Sequence, residues 1–125
     1  MRSLKLVAHW LLAAVFIAAG ANHFYNPDFY VRIMPPYLPW HLELVYVSGV
    51  LEILLGVLLL ITRFSVLAAW GLIALLIAVF PANIHMAVHP DLYPEIPRGL
   101  LYARLPFQGV FIAWTWWFTQ KPARA

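Results

Sequence analysis

The chain contains no cysteine, so by itself it forms no disulfide and runs no dithiol chemistry, whichever compartment its loops face. It is also poor in charge: 10% of its 125 residues are Asp, Glu, Lys or Arg, against about 25% in a water-soluble domain. Basic residues exceed acidic ones by three and do not gather into a stripe, which argues against a nucleic-acid partner. No phosphate-cradling glycine loop and no nucleophile with its base is present, so a self-sufficient enzyme is not expected. The histidines lack a convincing third or fourth ligand for zinc.

What is abundant is apolar sequence. Hydrophobic residues make up 64% of the chain and the mean hydropathy is +0.81, as in a membrane protein with short loops. Four apolar segments, 4–25, 41–62, 64–86 and 100–119, approach the roughly 20 residues that cross about 30 Å of hydrocarbon as a helix. They predict an all-α, multi-pass, four-helix bundle forming one membrane domain over 1–125. The first segment has a competing reading as a signal peptide, since Arg2 and Lys5 precede an apolar run ending in Ala19-Gly20-Ala21. That run exceeds the usual h-region of about 7 to 15 residues, which favours the spanning helix.

Arg2, Lys5, Arg63, Lys121 and Arg124 fall at one side of these segments, and Arg32, Arg98 and Arg104 at the other. By the positive-inside rule both termini are expected to be cytoplasmic. Trp114, Trp116 and Trp117 suit an interfacial belt inside, and Tyr37, Trp40 and Tyr102 one outside. In the first outward connection, Asn26 is placed to cap a short interfacial helix over 27–34 with Pro27 at its first position, and Asp28 and Arg32 stand four apart. Phe29, Ile33 and Met34 would share a face, after which Pro35, Pro36 and Pro39 turn the chain back at Trp40.

The second outward connection partly repeats the first. Asn22 to Tyr30, NHFYNPDFY, resembles Asn83 to Tyr93, NIHMAVHPDLY, which suggests a duplicated helical hairpin of the kind seen in some transporters. Under that reading His23 and His85 are equivalent and face a shared centre, as bis-histidine ligation of a haem would require, but a histidine at a membrane helix end is more often interfacial and haem is not expected. His9 and His89 read as interfacial and loop residues.

Glu52 is the misfit in the second segment. Fourteen Leu, Ile or Val residues surround it between 41 and 62, each contributing roughly −0.3 to −0.6 kcal/mol to insertion against about +3 for a central charge. The helix inserts, but Glu52 must be either neutral or met by several donors. His41, Val45, Ser48, Glu52 and Gly56 recur at helical spacing, so this face is expected to look inward. Its candidate partners are His23, Asn83, His85, Arg104 and Gln108, with Gln108 nearer by depth and Arg104 the better counter-charge. Pro81 and Pro106 interrupt their helices at the same end and should free the carbonyls of Ile77 and Tyr102. His23, Ser48, Glu52, Asn83, His85, Arg104 and Gln108 thus outline a small polar chamber opening outward. Gly49 and Gly56, one heptad apart, would let helices pack within one subunit or between two, leaving a homo-oligomer open.

Taken in order, Gly20-x-x-His23-Phe24, the Pro36 to Pro39 turn, Ser48-Gly49-x-x-Glu52-x-x-x-Gly56, Pro81-Ala82-Asn83 and Arg104-x-Pro106-x-Gln108 resemble the DoxX family of small bacterial membrane proteins. The resemblance spans nearly the whole chain. It implies a four-helix protein of the cytoplasmic (inner) membrane, with relatives associated with thiosulfate:quinone oxidoreductase or with complexes that handle oxidants and thiols. The leading expectation is an accessory subunit of a membrane redox system that binds a quinone-like or other amphipathic small molecule in the chamber. A non-enzymatic assembly or scaffold protein, whose buried polar residues fix helix packing, is the alternative, since distant relatives act as receptor-assembly chaperones.

Overall fold

The computed structural model describes residues 2–120 and, among them, contains helices and turns but no strand. Lys121 and Arg124, two of the charges expected inside, lie outside the described residues, as does the side chain of Arg2. Four long helices follow the four apolar segments: α1 (Arg2–Tyr25), α3 (His41–Leu59), α4 (Ser65–Val88) and α5 (Arg98–Trp117). The short helix α2 (Pro27–Ile33) lies in the first connection, and 3-10 turns cover Thr62–Phe64 and Pro90–Leu92.

Three stretches are long and apolar enough to cross a membrane: Ser3–Tyr25, His41–Leu59 and Thr62–Val88. The fourth expected span, in α5, is less apolar because Arg98, Arg104 and Gln108 fall within it. Even so, α5 turns Phe107, Val110 and Trp116 outward, all more than half exposed. Large apolar side chains cover the exterior of the other long helices as well, with Val7, Trp10, Val50, Leu67 and Ile77 all more than half exposed. An exterior of this kind suits hydrocarbon rather than water.

Helices α1 and α3 pack most closely, followed by α4 with α5 and then α3 with α4. The α1–α3 seam is a glycine seam. A Cβ placed on Gly20 would lie 2.6 Å from the Gly49 carbonyl oxygen, and one on Gly56 would lie 2.8 Å from Ile17 Cγ1. Gly49 and Gly56 are therefore used inside one subunit, letting backbones approach as small residues do in membrane helix pairs.

Two hydrophobic clusters hold opposite ends of the assembly. Leu12, Ala13, Phe16, Leu59, Ala68, Ala69, Leu72 and Phe118 form the larger one, beside the tight α3–α4 turn. At that end His9 donates to the carbonyl of Leu59 (2.6 Å) and stacks on Phe118. That carbonyl ends α3 without a helical partner of its own, so His9 is a cross-helix cap rather than a merely interfacial residue. Lys5 lies 5.6 Å from the Trp117 ring centre at the same end.

Ile33, Met86, Tyr93 and Leu101 form the second cluster, joining α2, α4, the Pro90–Leu92 turn and α5. Here two sequence expectations give way. Asn26 makes no side-chain capping bond, its φ of −137° and ψ of 60° holding it away from the helix amides; Pro27 does occupy the start of α2, as expected. Arg32 does not pair with Asp28 but with Glu95 (2.6 Å), because α2 lies against the second connection rather than alone on the surface. Tyr93 donates its hydroxyl to the Arg32 carbonyl (2.8 Å). His41 donates to the Pro35 carbonyl (3.2 Å), tying the proline turn to the start of α3. The α1–α3 and α4–α5 connections are thus clasped into one roof. The chain re-enters α3 through Trp40 in the left-handed region (φ 51°, ψ 52°), a conformation that costs a bulky residue about 1 kcal/mol or more.

Candidate functional site

Beneath the roof lies a cavity of about 480 Å³, within the 300–1,000 Å³ typical of small-molecule sites. Its walls are mostly apolar, and its polar side chains are His23, Tyr30, Ser48, Glu52, Asn83 and Arg104. Five of the seven residues proposed from the sequence therefore meet here.

Glu52 and Ser48 come from the inward stripe of α3. Ser48 donates to the Val45 carbonyl in its own helix (2.9 Å), which leaves the hydroxyl oxygen able to accept. Glu52 faces His23 of α1, with Nδ1 3.2 Å from Oε2 and both side chains largely buried. The Nδ1 proton, however, has a better acceptor in the Ala19 carbonyl at 2.7 Å, one helical turn back. Oε2 is consequently buried with no hydrogen-bond partner, a state that costs about 1–3 kcal/mol for a neutral group and more for a charged one. We read the pair as a close contact whose hydrogen bond is directed elsewhere, rather than as an ion pair. The helix spacing that brings it about is the Gly20–Gly49 approach: the carbon nearest a Cβ on Gly49 is the Cβ of His23, at 2.8 Å.

Tyr30 stacks on the His23 ring at 4.0 Å between centres and accepts a 2.6 Å hydrogen bond from Asn22. This residue is absent from the sequence-based set. Its signal was available, since it ends the first copy of the repeated Pro-Asp-Phe-Tyr segment, seven residues after His23.

On the opposite wall, Arg104 donates through Nε to Asn83 Oδ1 at 3.0 Å. Asn83 in turn donates to Gln108, and Gln108 donates to the carbonyl of Leu76. That carbonyl lies one residue before the Ile77 carbonyl expected to be freed by Pro81, inside the same proline-disturbed turn of α4. The chain of bonds corrects two expectations about Glu52. Gln108 does not reach it, because both ends of its amide are committed to α4, and among the described residues Arg104 makes no ion pair with it. The terminal nitrogens of Arg104 make no hydrogen bond among the described residues, so they remain free to hold an oxygen.

His85 is elsewhere. It packs on His89 (4.6 Å) and edge-on against Tyr93 (6.3 Å), while His89 donates through Nδ1 to the His85 carbonyl (3.1 Å) and closes the end of α4. His23 lines the cavity and His85 does not, so the two do not face a common centre. Among the described residues no cluster of three or more His, Asp or Glu side chains suits a metal ion.

The arrangement can orient a polar head between a carboxyl group and a guanidinium while an apolar body rests against Leu44, Val47, Leu51, Leu75 and Val79. A family model described as a domain of unknown function (DUF8561) matches residues 12–119. No curated protein matches the chain, and no solved structure does.

Proposed function

The chain belongs to the DUF8561 family, and we propose that it is a four-helix, DoxX-like protein of the cytoplasmic membrane that binds a quinone-like or other amphipathic small molecule as an accessory subunit of a redox or oxidant-handling system. In this reading α5 is the fourth span, both termini are cytoplasmic, and the two hairpins α1–α3 and α4–α5 descend from one duplicated unit. The observation that carries it is the Glu52 carboxyl, buried with an unpartnered oxygen in an apolar-walled cavity of about 480 Å³ beside His23 and Arg104. Buried ionisable groups inside a membrane mark functional sites by default.

Within the site the roles divide by chemistry. Arg104, held by Asn83, offers its terminal nitrogens to a head-group oxygen. Glu52 exchanges a proton with the head group, and the free Nε2 of His23 is the neighbouring acceptor, since Nδ1 keeps its proton on Ala19. Gln108 holds Asn83 rather than the ligand. A bound quinone would supply two-electron, two-proton redox chemistry, with electrons delivered by a partner subunit. Native mass spectrometry from membranes, followed by quinone titration of the purified protein, tests this reading. A retained quinone-like molecule, lost in Glu52→Gln, supports it; no retained molecule and no saturable binding refutes it.

The second reading is an assembly or scaffold protein. It is favoured by the glycine seam and by the Arg104–Asn83–Gln108–Leu76 chain, since small residues and interhelical amides are what join membrane helices. A Glu52→Gln protein that folds as the parent does but loses a redox phenotype counts against it.

A further inference from the structure

The cavity's side walls differ in a way that the sequence did not reveal. Toward the outside, the roof residues bordering it are backed by further side chains: Ile33 is 6% exposed and Pro35 fully buried, with Tyr93 and Met86 sealed behind them. The Arg32–Glu95 pair and the Tyr93 hydroxyl clasp that roof shut. Toward α1 the glycine seam leaves no space. Between α3 and α4 the situation is reversed. Leu44, Val47, Ser48, Leu51 and Glu52 form one face of α3, and Leu75, Ala78, Val79 and Ala82 one face of α4, and both faces line the cavity. Four of these residues, Val47 (54%), Leu51 (38%), Val79 (37%) and Ala78, are exposed. Exposed rather than buried side chains therefore make up much of this wall, Ala78 the smallest of the four. These positions lie well inside two membrane-crossing stretches.

We infer that the cavity is loaded sideways from the bilayer, through the gap between α3 and α4, by a lipid-partitioned molecule with a hydroxyl-bearing head and an apolar body. The expected outward opening is replaced by a lateral one. The head chemistry follows from the walls. A hydroxyl both donates and accepts, so it can satisfy Glu52 Oε2 in either protonation state, while its oxygen is within the class that Arg104 holds. The body remains against Val47, Leu51 and Val79, where it meets acyl chains rather than water. The inference rests on the ligand-binding reading above for its occupant, but its route is separately testable.

The chain has five acidic residues, and Asp28, Glu43, Asp91 and Glu95 are all exposed near helix ends while Glu52 is not. Dicyclohexylcarbodiimide dissolves in lipid. It takes up a carboxylic acid by addition: the acid proton moves to a carbodiimide nitrogen, the carboxyl oxygen bonds to the central carbon, and the acyl group then migrates to nitrogen without a leaving group. Native membranes treated with it should yield a single adduct at Glu52, mapped by peptide mass spectrometry. A water-soluble carbodiimide with an added amine should modify the four exposed acids and spare Glu52. Ala78→Trp, which fills the gap from the α4 side, should abolish the Glu52 adduct; Val47→Trp fills it from α3 and serves if the first variant does not fold. Modification of Glu52 by the water-soluble reagent at the rate of the exposed acids, or an undiminished adduct in a folded gap-filled variant, overturns the lateral route. Absence of any retained small molecule in native mass spectrometry overturns the occupant instead, leaving the labelling pattern to decide the route alone.

Discussion

Replacing the six glycines one at a time by alanine should separate close approach from helix propensity. In an exposed helix interior the change gains about 0.8–1.0 kcal/mol. Gly109 and Gly99 would meet nothing within 4 Å, so Gly109→Ala, inside α5, should be neutral or stabilising by up to that amount. Gly20→Ala is the opposite case. Its Cβ would sit 2.6 Å from the Gly49 carbonyl oxygen, 2.8 Å from Ile53 Cγ1 and 3.0 Å from Glu52 Cβ. Ordinary contact begins at 3.4 Å, and the nearest obstacle is backbone, so α1 and α3 must part by about 0.8 Å. A gap of about 0.5–1 Å forfeits a quarter to a half of each dispersion contact along it, and overpacking of this kind costs about 1–3 kcal/mol.

The net expectation for Gly20→Ala is a loss of up to about 2 kcal/mol, since overpacking offsets and then outweighs the propensity gain. Gly49→Ala should follow, its Cβ pressing on His23 Cβ at 2.8 Å and on the Gly20 oxygen at 3.0 Å. Gly56→Ala should cost less because its nearest obstacle is the movable Ile17 side chain, and Gly71→Ala should be near neutral against the flexible Leu55. Reversible unfolding in mixed detergent micelles, followed by tryptophan fluorescence, gives the order. Equal stability of Gly20→Ala and Gly109→Ala would refute the seam.

Three further expectations concern polar contacts. His9→Phe keeps a ring against Phe118 but strands the Leu59 carbonyl, so it should lose about 1–3 kcal/mol of stability in the same assay; an unchanged midpoint would remove His9 as a cap. For Asn83→Leu and Gln108→Leu, a double-mutant cycle should show coupling of about 0.6 kcal/mol or more, the single changes each leaving a bonded partner alone; strict additivity would mean that the chain of bonds does not form. The Arg32 guanidinium holds the Glu95 carboxyl below the usual carboxylate range and is itself pushed up by that contact. A depressed folded value means that the pair's stabilisation is present above the ordinary carboxylate range and is lost as pH falls through the folded value. Protection from hydrogen exchange over residues 89–97, taken relative to the intrinsic rate at each pH, should therefore fall on acidification, and in Glu95→Gln it should be low throughout and lose this acid step.

The four long helices were legible because hydropathy, proline and glycine act locally. The inward stripe of α3 was legible because its spacing depends on one helix alone. Partner choice was not, because it depends on how neighbouring helices rotate. Arg104 and Gln108 do share a face of α5, yet the disturbed turn before Pro81 offers Gln108 a carbonyl closer than Glu52. The repeat misled about His85 for a countable reason. His23 precedes its Pro-Asp pair by four residues and His85 by five, and one added helical residue turns a side chain by roughly 100°. The chain then continues as helix α2 in the first copy but as a 3-10 turn in the second, so one histidine looks into the cavity and the other onto Tyr93.

Helix α3 carries two opposite packing solutions on one length. Toward α1 its glycines remove all slack; toward α4 it leaves a cavity of about 480 Å³. Space of that volume is not expected of packing alone, since protein interiors leave few voids larger than a water molecule. A chain selected for packing alone would close the space by enlarging Ala19, Ser48, Ala78 or Ala82, each of which borders it. Scaffolding therefore accounts for the tight seam but not for the cavity beside it. The tight seam fixes Glu52 against His23 and the small residues keep the facing wall away from them, and the proposed ligand from the surrounding lipid, its polar head at Glu52, would give both features one explanation.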